Sequence, residues 1–300
     1  MISVPQLINQ VKAGDFKDLA RAITLVENGL EGSAELLRQL KPGGTPVIGI
    51  TGPPGAGKST LVNALINNWA SAGKRVAVIA IDPTSPFNLG SLLGDRIRMA
   101  GHFNNRNVYI RSIATRGSLG GLSAKTIEIT DVLQSAGFDY IIVETVGVGQ
   151  SEVEIAGLAD ISVVVLVPES GDEIQNIKSG LMEIADIFVV NKSDREGAET
   201  FANNLKKLVH QKSVHLPVIK TVAHCAEGVG DLIHAIEAHS DIANHKKPFL
   251  LAEKAWKLIQ IHRMKDIDKN KLQADLEKAY KNSDFNLYSF VEAFVKIKNS

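Results

Sequence analysis

A glycine-rich segment at residues 52–59 carries the clearest chemical signal in the sequence. It reads Gly-Pro-Pro-Gly-Ala-Gly-Lys-Ser and fits the pattern G-x-x-x-x-G-K-[ST] in full. Glycines let backbone N–H groups converge on phosphate oxygens, and a following helix adds positive potential at its N-terminus. An apolar run at 47–51 precedes the segment and an amphipathic stretch at 60–69 follows it, as a phosphate-binding loop requires. The residues predicted to bind phosphate are Gly52, Pro53, Pro54, Gly55, Ala56, Gly57, Lys58, Ser59 and Thr60.

Two side chains of this loop have predicted roles beyond its shape. The Lys58 ammonium should reach the β- and γ-phosphates of a nucleoside triphosphate and act in catalysis. The Ser59 hydroxyl should coordinate the Mg²⁺ that bridges those phosphates. Pro53 stands where ATPases that partition DNA carry a second lysine, which argues against that class.

A second pattern, Asn191-Lys192-Ser193-Asp194, follows another apolar run and matches N-K-x-D. The Asp194 carboxylate can accept hydrogen bonds from the N1–H and 2-amino groups of guanine. Adenine offers neither donor and would leave that carboxylate unpaired, so the pattern predicts guanine specificity. Lys192 should lie along the base and Asn191 should tie this segment to the phosphate loop. Ala223 follows a later apolar run, where GTPases often contact the guanine O6 atom.

Three carboxylates stand at positions suited to the Mg²⁺ shell. Glu144 ends the apolar run 140–144 and opens Glu-Thr-Val-Gly, a variant of the D-x-x-G switch in which the Gly147 amide senses the γ-phosphate. Asp82 ends the run 76–81 and should face the ligand crevice of a parallel sheet. Asp95 either joins this shell or caps a helix. The predicted catalytic residues are Lys58, Asp82, Asp95, Glu144 and Gly147, and the predicted metal ligands are Ser59, Asp82, Asp95 and Glu144.

The residue after Gly147 bears on the rate of hydrolysis. Ras-like proteins carry a water-orienting glutamine there, whereas this sequence has Val148, with Gln150 two residues later. We therefore predict slow intrinsic GTP hydrolysis that a partner or another loop completes.

Along the chain, short apolar runs alternate with helical stretches, and these elements must position the residues described above. The runs are apolar on consecutive residues, which indicates strands buried on both faces of a mainly parallel sheet. We predict an α/β, doubly wound P-loop GTPase core. The predicted strands are 47–51, 76–81, 108–110, 140–144, 161–167, 187–191 and 218–221.

Helical patterns flank this core and divide the chain into three predicted regions. Residues 1–44 form a helical N-terminal extension that ends in a Pro-Gly-Gly turn, and residues 45–244 form the GTPase domain. Residues 245–300 form a charged helical C-terminal arm with two apolar clusters, which must pack on the core or on a second subunit.

Composition narrows the class of protein. The 300 residues carry 33 Lys plus Arg and 33 Asp plus Glu, a formal net charge of zero that argues against nucleic-acid coating or membrane-surface binding. A single cysteine fits a reducing compartment. The N-terminus lacks a signal-peptide pattern, and the longest apolar runs are far shorter than a membrane helix. We therefore expect a cytoplasmic protein with no nucleic-acid or membrane partner.

Taken together, the motifs make the sequence similar to one known family. It resembles the GTPase chaperones of cobalamin-dependent acyl-CoA mutases, the methylmalonyl-CoA mutase-associated GTPases, and the segment Glu-Thr-Val-Gly-Val-Gly-Gln at 144–150 is particularly specific. The segments that carry the resemblance are 21–27, 52–60, 82–87, 94–99, 110–117, 119–121, 144–152, 171–173, 177–178 and 191–194. The stretch Asn88-Leu89-Gly90 and the residue Val222 depart from the family pattern, and the chain after about 245 matches loosely.

The resemblance implies a function and an assembly. It implies GTP and GDP as ligands, Mg²⁺ as cofactor, and a homodimer formed through the C-terminal arm. It places the family's Mg²⁺ and switch carboxylates on Asp82, Asp95 and Glu144, and a third switch at 171–178. The family's role is to gate the loading of adenosylcobalamin onto a mutase and to protect or reactivate that enzyme.

Two other functions stay open at this stage. A nickel-delivery GTPase chaperone usually has a His-rich tract or a Cys-containing metal site, which eight scattered histidines and one cysteine do not supply. A nucleotide-dependent small-molecule kinase normally needs a lid and an acceptor pocket, and the N-K-x-D pattern would be unusual on an ATP enzyme.

Overall fold

The computed structural model describes residues 3–82, 99–114, 124–145, 155, 157–169, 181–211, 216–240, 247–264, 266–281 and 284–298. By its internal contacts the chain divides into two compact units, 1–254 and 255–300. The predicted region boundaries at 44/45 and 244/245 stay predictions.

A parallel sheet forms the centre of the first unit. In the described part of the chain it has seven strands in the order β3-β2-β4-β1-β5-β6-β7, and every neighbouring pair is parallel. All residues of β1, β5 and β6 are buried, as their continuous apolar sequences require. This confirms the predicted doubly wound α/β class. The strands are β1 Val47–Thr51, β2 Val76–Asp82, β3 Val108–Ala114, β4 Tyr140–Glu144, β5 Ile161–Leu166, β6 Ile187–Asn191 and β7 Val218–Thr221.

Helices pack on both faces of this sheet. On one face, the sheet packs against α4 and α8. On the opposite face, α1–α3 and α5 cover one half of the sheet and α7 covers the other half. In the first unit the described helices are α1 Val4–Lys12, α2 Phe16–Glu27, α3 Ser33–Gln39, α4 Lys58–Ser71, α5 Ala124–Gln134, α6 Leu181–Ile184, α7 Ala198–Gln211 and α8 Val229–Ser240.

The N-terminal helices are part of the main core. A capping box between Ser3 and Gln6 starts α1, and the Asp15 side chain caps α2. The apolar stripe of α2 is fully buried against the sheet and α5. A largely buried ion pair of 2.6 Å between Glu27 and Arg111 fastens the end of α2 to β3.

Strand β3 is longer than its sequence indicated. The prediction ended at 110, whereas the strand continues through Arg111 and Ser112 to Ala114. These two polar residues give no sign of a buried strand in the sequence. The partner of Arg111 is on α2, 84 residues away, so the contact that places Arg111 in the strand becomes visible only in the fold.

The second unit is helical and exposes apolar side chains. Helix α9, Lys247–Arg263, continues into this unit, and α10 Lys269–Ala279 and α11 Leu287–Lys298 follow. Exposed large apolar residues in these helices include Trp256, Ile259, Tyr288 and Val291. Across the described residues, no helix combines the length and the apolarity needed to cross a membrane.

Candidate nucleotide site

The sheet order brings the predicted motifs to one edge. Strand β1 lies between β4 and β5, and the carboxyl ends of parallel strands open on the crevice where such sheets bind ligands. The glycine-rich loop follows β1, Glu144 ends β4, and Asn191 ends β6. Three motifs that are far apart in the sequence therefore meet at one place.

Two positions of the loop require glycine because neighbouring atoms leave no room for a Cβ. Gly52 has φ 144°, and a Cβ there would lie 2.0 Å from the Val165 carbonyl oxygen of β5. Gly57 has φ 86°, and a Cβ there would lie 2.4 Å from the Asn191 side-chain nitrogen. Larger residues would therefore push the loop away from β5 and β6.

Helix α4 begins directly after Gly57 without a side-chain cap. Its first helical hydrogen bond runs from the Leu61 amide to the Gly57 carbonyl, so the preceding amides of the first turn lie outside the helical ladder. An uncapped helix N-terminus behind a glycine loop favours an anion such as phosphate.

The Lys58 side chain is buried and folded over its own loop. Its ammonium donates to the Gly52 carbonyl at 2.8 Å and to the Pro53 carbonyl at 3.0 Å. These contacts hold the cation at the mouth of the loop, within the region where phosphate oxygens are expected.

The predicted metal ligands Ser59 and Glu144 meet in the structure. The Ser59 hydroxyl donates to a Glu144 carboxylate oxygen at 2.6 Å, and both residues are buried. Their oxygens are the hard donors that Mg²⁺ prefers, so this pair fits the ion. Next to it, the Thr145 hydroxyl donates to the Thr51 hydroxyl at 2.9 Å, which joins the ends of β4 and β1.

Asn191 connects the phosphate loop with the predicted base loops. Its side-chain nitrogen donates to the Ala56 carbonyl at 2.8 Å. Its side-chain oxygen accepts from the Thr221 hydroxyl and from the Ala223 amide, each at 3.1 Å. One buried amide with three hydrogen bonds therefore fixes the distance between the two loops.

The turn after Asn191 presents Asp194 to solvent. Lys192 has φ 55°, and the Ser193 amide donates to the Thr221 carbonyl at 3.0 Å. The Asp194 side chain is exposed. Arg195 closes the turn and forms an ion pair with Glu169, and the hydrogen bond from Arg195 lowers the pKa of the Glu169 carboxyl.

Some predicted site residues lie outside this geometry. Asp82 is the last residue of β2, at the same edge of the sheet. Asp95 and Gly147 lie outside the described residues, so their predicted roles stay predictions. Pro54, Gly55 and Thr60 lie exposed on the loop and the first turn of α4.

Sequence reasoning missed three residues of the site. The threonines Thr51, Thr145 and Thr221 are buried and hydrogen-bond across the strand ends. Threonine is ordinary in strands, so its type alone gives no signal. Thr51 directly precedes the phosphate loop and Thr145 lies within the Glu-Thr-Val-Gly segment, and this placement was the signal available in the sequence.

Comparisons with known proteins point to one family. The family model described as methylmalonyl Co-A mutase-associated GTPase MeaB matches residues 19–279. A GTPase of Pyrococcus abyssi is 47% identical over 291 residues, 94% of this chain and 89% of that protein. The mouse mitochondrial methylmalonic aciduria type A homolog is 37% identical over 253 residues, 76% of this chain and 61% of that protein.

A solved structure covers the whole length. The crystal structure of an LAO/AO transport system kinase has a TM-score of 0.70 and 26% identity, and the match covers 100% of both chains. Its architecture agrees with the sheet and the terminal helices described above. The chain belongs to the methylmalonyl-CoA mutase-associated GTPase family.

Proposed function

We propose that this protein is a Mg²⁺-dependent GTPase that acts as a chaperone of a cobalamin-dependent acyl-CoA mutase. In this proposal it gates the loading of adenosylcobalamin and protects or reactivates the mutase. Membership of a GTPase family whose description names methylmalonyl-CoA mutase supports the partner. The similar mouse protein, named for methylmalonic aciduria, supports it further.

The single observation that carries the guanine-nucleotide part is the bonding of Asn191. Its amide touches the phosphate loop through Ala56 and the second base loop through Ala223. A side chain that holds the phosphate-binding loop to the base loops beside the N-K-x-D turn supports a single nucleotide site. A surface turn with the same residue types would not need this link.

The residues of the site have the following proposed roles. Lys58 exchanges its two loop carbonyls for phosphate oxygens, and the α4 amides bind the same phosphates. Asp194 accepts from guanine, with Lys192 lying along the base. Ser59 and Glu144 hold Mg²⁺, with Asp82 and Asp95 as further ligands and the Gly147 amide sensing the γ-phosphate. Bound Mg²⁺ supplies charge neutralisation at the phosphates.

Slow intrinsic hydrolysis and partner stimulation are parts of the same proposal. Val148 replaces the water-orienting glutamine of Ras-like proteins, so the isolated site lacks that group at this position. A bound mutase would then complete the site or fix its loops. The functional output is the change in mutase binding between the GTP and GDP states.

The experiment is a phosphate-release assay with the full chain and a cobalamin-dependent acyl-CoA mutase. The arms are GTP alone, GTP with the mutase, and ATP in place of GTP, with Lys58→Ala as the variant lacking the phosphate contact. We expect slow GTP turnover that rises tenfold or more when the mutase is added, and no ATP turnover. Rapid GTP turnover unchanged by the mutase would contradict the chaperone role, and equal use of ATP would contradict the guanine site.

A further inference from the structure

A buried serine on β3 lies in the same lateral row of the sheet as Glu144. The register pairs Ile50 of β1 with Glu144 of β4, Glu144 with Ala80 of β2, and Ala80 with Ser112 of β3. These four residues therefore lie side by side across four neighbouring strands.

All four side chains point to the face covered by α4. On β3, Val108 and Ile110 pack in the core beneath α4, whereas Tyr109 and Ile113 pack in the core on the opposite face. Because side chains alternate along a strand, Ser112 shares the face of Val108. The Ser59–Glu144 hydrogen bond confirms that α4 covers the same end of this face.

The Ser112 hydroxyl lacks an internal partner in the described structure. The residue is only 8% exposed, and its oxygen has no hydrogen bond there. A buried hydroxyl without a partner costs stability, so native structures rarely keep one without a reason. Such atoms commonly mark a place where a water, an ion or a ligand binds.

Ala80 leaves room between Ser112 and Glu144. Neighbouring strands are about 4.8 Å apart, so the Cα atoms of Ser112 and Glu144 lie roughly 10 Å apart across Ala80. A bridging water can connect two polar side chains that are too far apart for a direct hydrogen bond. A larger residue in place of Ala80 would fill the space between them.

We propose that Ser112 is a positioning residue of the nucleotide site. Its hydroxyl binds a water over Ala80 that hydrogen-bonds the Glu144 carboxylate, and this contact holds Glu144 in place when GTP and Mg²⁺ are bound. The proposal rests on the GTPase function proposed above and adds to it a residue outside the phosphate loop, the Glu-Thr-Val-Gly switch and the N-K-x-D turn. In the nucleotide-free protein Glu144 accepts from the Ser59 hydroxyl instead, so the Ser112 hydroxyl lacks this contact and lowers stability.

The test measures thermal unfolding of the full chain without nucleotide and with Mg²⁺–GTP, together with the GTP dissociation constant. Three variants are compared with the wild type: Ser112→Ala, Ser112→Thr and Ser162→Ala. Ser162 is also a buried strand serine, near the amino end of β5 and away from the site, and serves as the control. Ser112→Thr keeps the hydroxyl.

The expected result separates a positioning role from a structural one. Without nucleotide, Ser112→Ala should melt about 2–4 °C above the wild type, because an unpaired buried hydroxyl is gone. With Mg²⁺, its GTP affinity should fall about 3- to 10-fold, the effect of one lost hydrogen bond. Ser112→Thr should recover that affinity, and Ser162→Ala should leave it unchanged.

Other results would overturn the proposal. A lower melting temperature of nucleotide-free Ser112→Ala would show that the hydroxyl has a structural partner. An unchanged GTP affinity of Ser112→Ala, beside normal GTP binding by the wild type, would remove Ser112 from the site and leave the proposed function standing. If the wild type itself gained no stability from Mg²⁺–GTP, both proposals would fall.

Discussion

At the residue scale, one buried amide determines how the site is assembled. Asn191 makes hydrogen bonds to a phosphate-loop carbonyl, to a strand-end hydroxyl and to a base-loop amide. The Asn191 motif was visible in the sequence, and so was the general role of tying the loops together. Its three partners were not, because each depends on strand ends that are adjacent only after folding.

Replacing Asn191 by alanine should therefore damage both stability and binding. The Ala56 carbonyl and the Ala223 amide would lose a buried partner, which should cost about 1–3 kcal/mol of unfolding free energy. GTP affinity should fall at least about tenfold, since the two loops would no longer be held at a fixed distance. Urea unfolding and calorimetric GTP titration measure the two effects. The exposed Asn203→Ala is the control and should change neither, and wild-type GTP affinity in Asn191→Ala would refute the linking role.

A second residue, His102, gives the protein a pH dependence. Its ring nitrogen bonds the Asn63 side chain at 2.8 Å, and burial lowers the pKa of His102 below its ordinary value of 6.5. The unfolded chain therefore binds a proton at a higher pH than the folded protein does. As the pH falls below about 6.5, the unfolded state takes up the proton first and stability decreases.

His102→Gln should reduce this loss of stability. Between pH 7.5 and pH 5.5 the melting temperature of the variant should fall less than that of the wild type, because the group that titrates on unfolding is absent. Melting curves at several pH values measure this change in melting temperature, with the exposed His234→Gln as control. Equal slopes for His102→Gln and the wild type would mean that His102 titrates normally when folded.

At the element scale, the contact between α2 and β3 makes the N-terminal helices part of the core. Removing one member of a largely buried ion pair leaves the other charge without compensation. Glu27→Gln should therefore lower the unfolding free energy by about 1–3 kcal/mol in urea titrations. Arg21→Gln breaks the more exposed pair with Asp18 and should cost less than about 0.5 kcal/mol. Equal costs in the two variants would show that the Glu27–Arg111 contact does not fasten α2.

Most elements of the sheet could be predicted from the sequence because their strands are apolar on consecutive residues. The runs at 47–51 and 187–191 have the observed bounds. The end of β3 could not be found, since Arg111 looks like a surface residue until Glu27 is placed beside it. Likewise Ser112 resembles a loop residue until the register puts it in the row of Glu144.

At the scale of the whole molecule, the exposed apolar residues of α9 and α11 are consistent with the homodimer that the family resemblance implies. Trp256 is 61% exposed and Tyr288 is 84% exposed, and groups of large exposed apolar side chains commonly mark protein–protein interfaces. Trp256→Glu should convert a dimer into a monomer, because a charge would have to be buried in the interface.

Light scattering coupled to size-exclusion chromatography measures this change. GTP affinity should stay at the wild-type value, since Trp256 lies outside the unit that contains the nucleotide site. Lys278→Ala, on an exposed position of α10, is the control and should remain dimeric. A monomeric wild type at tens of micromolar, or a dimeric Trp256→Glu, would count against the arm as the dimer interface.

The central claim is that the loop after β1 and the turn after β6 form one guanine-nucleotide site. Its most direct test is the base preference of Asp194→Asn, measured as the dissociation constants of GTP and XTP in Mg²⁺. The carboxylate accepts from the guanine N1–H and 2-amino groups, whereas an amide can donate to the 2-oxo group of xanthine. The variant should bind GTP at least about 100-fold more weakly than the wild type and should bind XTP better than the wild type does. Unchanged GTP affinity in Asp194→Asn would contradict the claim.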